Sequence, residues 1–154
     1  MRQARLTLSA ALAGVLSGAL AVVPAPPAAG ADEVRSLVTV VTSAEPRTQL
    51  MAMVLSTQAV AQGASLHMLL CGPGGDIALR DAPESATAPQ PPQDMSPQGM
   101  MAALIEGGAT VEVCAIYLPG LGADASALID RVGVATPDEM AAAMLAEGTR
   151  VWSF

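Results

Sequence analysis

The sequence predicts a three-layer α/β/α domain on a mostly parallel sheet, and three observations carry that prediction. The run LVTVVT at 37–42 is continuously apolar and β-branched, the pattern of a strand buried on both faces. A helical stretch and a second strand follow it, forming a βαβ unit whose crossover requires parallel strands. Strand-like and helix-like runs then alternate to the end of the chain, giving five strands, the order expected of helices packed on both faces of a sheet.

Each element has its own signal. After the turn-like SAEP, residues 47–62 carry Leu50, Met51, Val54 and Leu55 at helical spacing, with Gly63 as terminator. The second strand is Ser65 to Cys71, closed by the glycine-rich CGPGGD. Residues 82–97 (APESATAPQPPQDMSP) hold five prolines and little apolar matter, so a long loop is expected, of the kind that is functional or mobile. Ser96 and Pro97 are an N-cap and first helical residue, Met100, Met101, Leu104 and Ile105 form the apolar stripe, and Gly107 and Gly108 stop the helix. The third strand is expected over Thr110 to Tyr117. A short helical piece at Asp124 to Asp130 leads to a small strand, Arg131 to Ala135. T-P-D-E at 136–139 reads as a capping box opening a helix to about Ala146, and Thr149 to Phe154 is the last strand.

The first 31 residues read as an address. Arg2 and Arg5 precede an uncharged, mostly apolar run from Leu6 to Val23, and a small-residue segment ends in Ala29, Gly30, Ala31. That order is a secretory signal peptide with an A-x-A-like cleavage site. The rival is an uncleaved anchor, because the 18 uncharged residues reach the lower end of spanning length; serine, threonine, glycine and alanine dilute the run and favour cleavage. A single domain at 32–154 is therefore expected in the periplasm or secreted, with no membrane association after cleavage. Two of the seven basic residues lie in the leader, which leaves five arginines against fourteen acids and a formal charge of −9. Such a surface repels phosphate backbones, so no nucleic-acid partner is expected. One tryptophan, one tyrosine and one phenylalanine are too few for a base-stacking or sugar-stacking platform.

Ligands of open parallel sheets gather beyond the carboxyl ends of the strands. Both cysteines, Cys71 and Cys114, fall on that edge. Cys114 shares a strand face with Glu112 and Ile116 by the period of two. It reads as a small buried apolar residue, as half of a disulfide, or as a reactive thiol, which needs exposure and a nearby positive charge or helix amino terminus. With the common strand order 2-1-3-4-5, the strands carrying the cysteines flank the first strand at roughly 9.5 Å. A disulfide needs Cα atoms within about 7 Å, so this order disfavours pairing.

Other chemistries find less. Gly72, Gly74 and Gly75 could present backbone N–H groups to a phosphate, but the G-x-G-x-x-G spacing and the P-loop lysine are missing, and glycines closing a strand more often form turns. A flavin site lacks a glycine in the first loop and aromatics to sandwich a ring, and no G-x-S-x-G elbow supports a serine hydrolase. No cofactor is expected. His67, Met95, Met100, Met101 and the two cysteines are ligand types that suit copper, although there is one histidine, no tight Cys or His pair, and the helical spacing of Met100 and Met101 with Leu104 reads first as core.

The stretches "HMLLCGPG", "LIEGGA", "VEVCAIYLPG" and "ATPDEMAAAML", in that order, resemble the DsrE/DsrF-like proteins over residues 35–154. The most specific part is G-A-T-V-E-V-C-A, because sulfur-relay members carry their working cysteine at the end of the corresponding strand. The resemblance implies a flavodoxin-like sheet without flavin, homo-oligomers (trimers or hexamers), and a role for Cys114 as persulfide carrier, either as a sulfur carrier or as a sulfurtransferase exchanging with a donor or acceptor protein. It assigns nothing to Cys71, which is a second thiol, nor to the loop from Pro83 to Pro97, which is a candidate cover. Export, the second cysteine and the long loop depart from the relay members. The alternative is a non-enzymatic binding or assembly protein, copper-binding through the residues above, with a structural Cys114.

Overall fold

The computed structural model describes residues 35–154, so the leader expected at 1–31 lies outside the described residues. The five strands are β1 (Ser36–Val41), β2 (Ser65–Leu70), β3 (Thr110–Cys114), β4 (Val132–Ala135) and β5 (Thr149–Ser153). The helices are α1 (Pro46–Ala61), α2 (Glu84–Thr87), α3 (Pro97–Glu106), α4 (Tyr117–Leu121) and α5 (Pro137–Leu145). All strand pairs are parallel, in the order β4-β3-β2-β1-β5. The α/β class and the parallel sheet are as predicted. The order 2-1-3-4-5 is not: β2 and β3 are neighbours, and β5 occupies the place beside β1.

This order explains the layers. The connections from β1 to β4 each step one place in the same direction, and right-handed crossovers put their helices on one face. The connection from β4 to β5 steps back across the sheet, and its helix α5 falls on the other face. Accordingly Leu37, Val41, Met68, Leu70, Val111 and Val113 pack with Met53 of α1 and Met101, Leu104 and Ile105 of α3. Val38, Leu69 and Ala135 pack on the opposite side with Met140 of α5.

Helix α1 differs from its prediction in the face it buries. Gln49, Ala52, Met53 and Ser56 are buried, whereas Met51, Val54 and Leu55 are exposed. Small residues at 52 and 56 let the helix approach the sheet closely, and the hydroxyls of Ser56 and the buried Thr39 share a hydrogen bond of 2.9 Å. Glu45 caps the helix, its Oε2 accepting from the Thr48 N–H at 2.7 Å. The backbone N–H groups of Arg47 and Thr48 hold its carboxyl below the usual carboxylate range. Ser96 caps α3 as predicted, through the Gly99 N–H at 3.1 Å. The capping box at α5 is not formed: the Thr136 hydroxyl donates to the Glu139 carboxylate at 2.6 Å instead of capping a backbone N–H.

The proline-rich loop is tied down. It contains α2, with Ala86 buried, and a bridge between Gln90 and Met95. At the start of α3 the Gln98 amide donates to the carbonyls of Ile77 and Leu79 at 3.0 and 2.8 Å. With Leu50, Met51 and Val54 of α1, the loop forms a groove of about 460 Å³ on the α1/α3 side.

The Thr39–Ser56 pair gives a test of the helix placement. Ser56→Ala leaves the Thr39 hydroxyl buried without its partner and is expected to cost ~1–3 kcal/mol in urea unfolding. The double variant Thr39→Val/Ser56→Ala, which removes both polar groups, should recover most of that loss; a double variant as unstable as the single one contradicts the pairing.

Candidate functional site

The carboxyl ends of β2 and β3 bring Cys71 and Cys114 together. Leu70 and Val113 are register partners, and one residue further on the cysteine Cα atoms lie 5.2 Å apart and the side chains form a disulfide. The separation derived from the order 2-1-3-4-5 is thus overturned by the observed order, which removes β1 from between the two strands. Among the described residues no cysteine is free.

Alternation sets the face. Cys114 is in register with Ala135, and Leu69 with Glu112, so both cysteines pack on the α5 side against Val38, Leu69, Ala135 and Met140. The strand ends at Cys114, earlier than predicted. Ile116, expected on the Cys114 face, is 81% exposed, and Tyr117 begins α4 and turns into the α1/α3 core. The expected helical piece at Asp124 to Asp130 is only a 3₁₀ turn, Ala125–Ala127, capped by Asp124 through the Ser126 N–H at 2.8 Å.

A cavity of about 350 Å³ opens on Cys114. Leu69, Ala135, Pro137, Met140 and Met144 form most of its wall; Thr136 is the single polar side chain, and no charged residue lines it. Neither Cys71 nor any residue of the proline-rich loop contributes, so the loop does not cover this site.

The CGPGGD turn fixes the site from below. It forms a 3₁₀ segment, Gly72–Ala78. Gly74 lies so close to the Val41 carbonyl that a Cβ would collide with it, and a Cβ on Gly75 would meet the Tyr117 ring. These two glycines serve close packing. The Tyr117 hydroxyl donates to Asp76 Oδ1 at 2.7 Å; burial first, and then Asp76, push its pKa well above the usual phenol value. It therefore stays a donor throughout the physiological range.

His67 and Glu112 form a second polar feature on the same sheet face. The His67 Nε2 and Glu112 Oε2 lie 2.7 Å apart, and Gly133 on β4 makes room for the glutamate side chain. The pairing was not predicted. Its signal was two ionisable residues at inward positions of strands, but only the adjacency of β2 and β3 makes them partners. The copper candidates do not converge: His67 is on the α5 face, Met101 is buried in the α1/α3 core, and Met95 and Met100 line the groove beside α1.

No family model matches the sequence, and no curated protein does. Solved structures match. The YchN protein of E. coli superposes with a TM-score of 0.62 at 21% identity, over 78% of this chain and 99% of that one. A protein of unknown function from Methanobacterium thermoautotrophicum, MTH1491, superposes with a TM-score of 0.56 at 13% identity, over 79% of this chain and 100% of that one. Both have the DsrE-like fold. At these identities the likeness extends to the fold alone.

The disulfide bridges a sequence separation of 43 residues, for which loop-closure entropy gives roughly 4 kcal/mol of stabilisation. A thiol reductant should lower the urea midpoint of the wild-type protein accordingly and leave Cys71→Ser unchanged. A wild-type midpoint insensitive to full reduction contradicts a stabilising bridge.

Proposed function

We propose that the chain is an exported sulfur carrier of DsrE-like fold whose working residue is Cys114. The observation that carries this reading is the position of Cys114: at the carboxyl end of β3, with its side chain on an apolar cavity. The G-A-T-V-E-V-C-A match, which implies a persulfide carrier at this residue, supports it. In the dithiol form the Cys114 thiolate attacks the outer sulfur of a donor persulfide, R–S–SH. The donor S–S bond breaks, R–S⁻ leaves and takes up a proton, and the product is Cys114–S–SH. The disulfide is the closed form, which a reductant must open before loading.

A second reading is favoured by the bridge itself. In an exported chain a disulfide joining two strand ends is an ordinary stabilising device, and Cys114 is then structural. Intact mass separates the two. Reduced Cys71→Ser protein, which has no second thiol to discharge the sulfur, should become one sulfur atom heavier on incubation with a persulfide donor, the double variant Cys71→Ser/Cys114→Ser should not, and failure of Cys71→Ser to gain sulfur leaves only the structural role.

Assembly into homo-oligomers belongs to the same proposal. Its support is the outer face of α1, where Met51 is 52%, Val54 42% and Leu55 39% exposed, an apolar patch of the kind that marks association surfaces. Sedimentation should find an oligomer for the wild-type protein and a smaller species for Leu55→Glu. A wild-type monomer removes this part of the proposal.

A further inference from the structure

We propose that Cys71 is a resolving cysteine, so that sulfur loaded on Cys114 leaves as sulfide and the protein acts as a persulfide reductase. This inference rests on Cys114 being loaded as proposed above. Its own basis is the geometry around Cys71, which the carrier reading does not use.

The two cysteines are both half-buried but differ in what they face. Cys114 lines the apolar cavity and Cys71 does not, so a substrate entering there meets Cys114 first. The cavity wall carries no charged side chain, which selects a small persulfide with an apolar carbon part over an anionic one.

Both cysteines are also held by their backbones independently of the bridge. The Cys71 N–H donates to the Val41 carbonyl at 2.9 Å, and the Cys71 carbonyl accepts from the Gly74 N–H at 3.1 Å. Cys114 is fixed by its pairing with Ala135 in the β3–β4 ladder. Opening the S–S bond breaks none of these hydrogen bonds, so the reduced Cα atoms stay near their 5.2 Å separation. A persulfide on Cys114 is then formed within reach of a second thiol.

The chemistry balances. The Cys71 thiolate attacks Sγ of Cys114, the bond from Sγ to the outer sulfur breaks, and HS⁻ leaves and takes up a proton. Two cysteine thiols are oxidised to the disulfide, and the sulfane sulfur gains two electrons and becomes sulfide. A dithiol reductant resets the site by thiol–disulfide exchange and ends as its own disulfide. Because the resolving step is intramolecular, it outruns transfer to a protein acceptor in solution.

The test uses the reduced chain, freed of excess reductant and mixed with one equivalent of an alkyl persulfide, with sulfide and intact mass followed together. Wild-type protein should release one equivalent of sulfide and return to the disulfide mass. Cys71→Ser and Cys71→Ala should keep one added sulfur and release sulfide about a hundredfold more slowly. Wild-type protein that keeps the sulfur and releases no sulfide overturns the resolving role while the carrier stands. So does a Cys71 variant that releases sulfide at the wild-type rate. A Cys71 variant carrying the alkyl group, or no loading of any form, overturns the carrier reading and this inference with it.

Discussion

The side-by-side pairing of β2 and β3 is the constraint on which the site depends. It runs from His67 opposite Thr110 to Leu70 opposite Val113, and the two side-chain pairs of the α5 face, His67 with Glu112 and Cys71 with Cys114, are cross-strand consequences of it. His67 reaches Glu112 because their strands are neighbours. Cys71 reaches Cys114 because one further step along the same register brings the two strand ends together. With β1 inserted between these strands, the same residues would stand about two strand spacings apart, roughly 9.5 Å, and neither pair could form.

That dependence explains what the sequence could disclose. The β-branched run at 37–42, Ser96 with Pro97, and the glycines at 63 and 107 act through local conformation, and the corresponding elements form where predicted. Strand order turns on whether β3 pairs with β1 or with β2, a choice that no local signal in Thr110–Cys114 encodes; with β3 beside β2, the free edge of β1 is left for β5. The face buried by α1 was hidden for a related reason. Hydropathy favours Leu50, Met51, Val54 and Leu55 as core, whereas close approach to the sheet favours Ala52 and Ser56, and the hydrogen bond between the Ser56 and Thr39 hydroxyls adds to the second choice. The early end of β3 follows from Tyr117, whose ring packs on Gly75 and whose hydroxyl reaches Asp76, 41 residues away in sequence.

The two faces of the sheet are unequal. On one side α1, α3 and the 3₁₀ segment Gly72–Ala78 bury a continuous core of large side chains. The other side has a much smaller buried cluster: Val38, Leu69, Ala135 and Met140. Stability is therefore concentrated on the α1/α3 side, where a change of volume is costly. The thin side tolerates polar groups such as His67 and Glu112, each about a quarter exposed, and it tolerates unfilled space.

That space has an origin in β4. Its inward positions are Gly133 and Ala135, which alternate onto the α5 face in register with Glu112 and Cys114. Gly133 leaves room that the Glu112 side chain takes up. Ala135 leaves room beside Cys114 that nothing takes up, because Met140 and Met144 of α5 stand as the far wall and do not fill it. The apolar opening onto Cys114 is thus produced by a short side chain on an edge strand, under the helix that the return connection to β5 places on this face. The unreversed step from β2 to β3 brings the cysteines together, and the reversal from β4 to β5 sets α5 over Cys114.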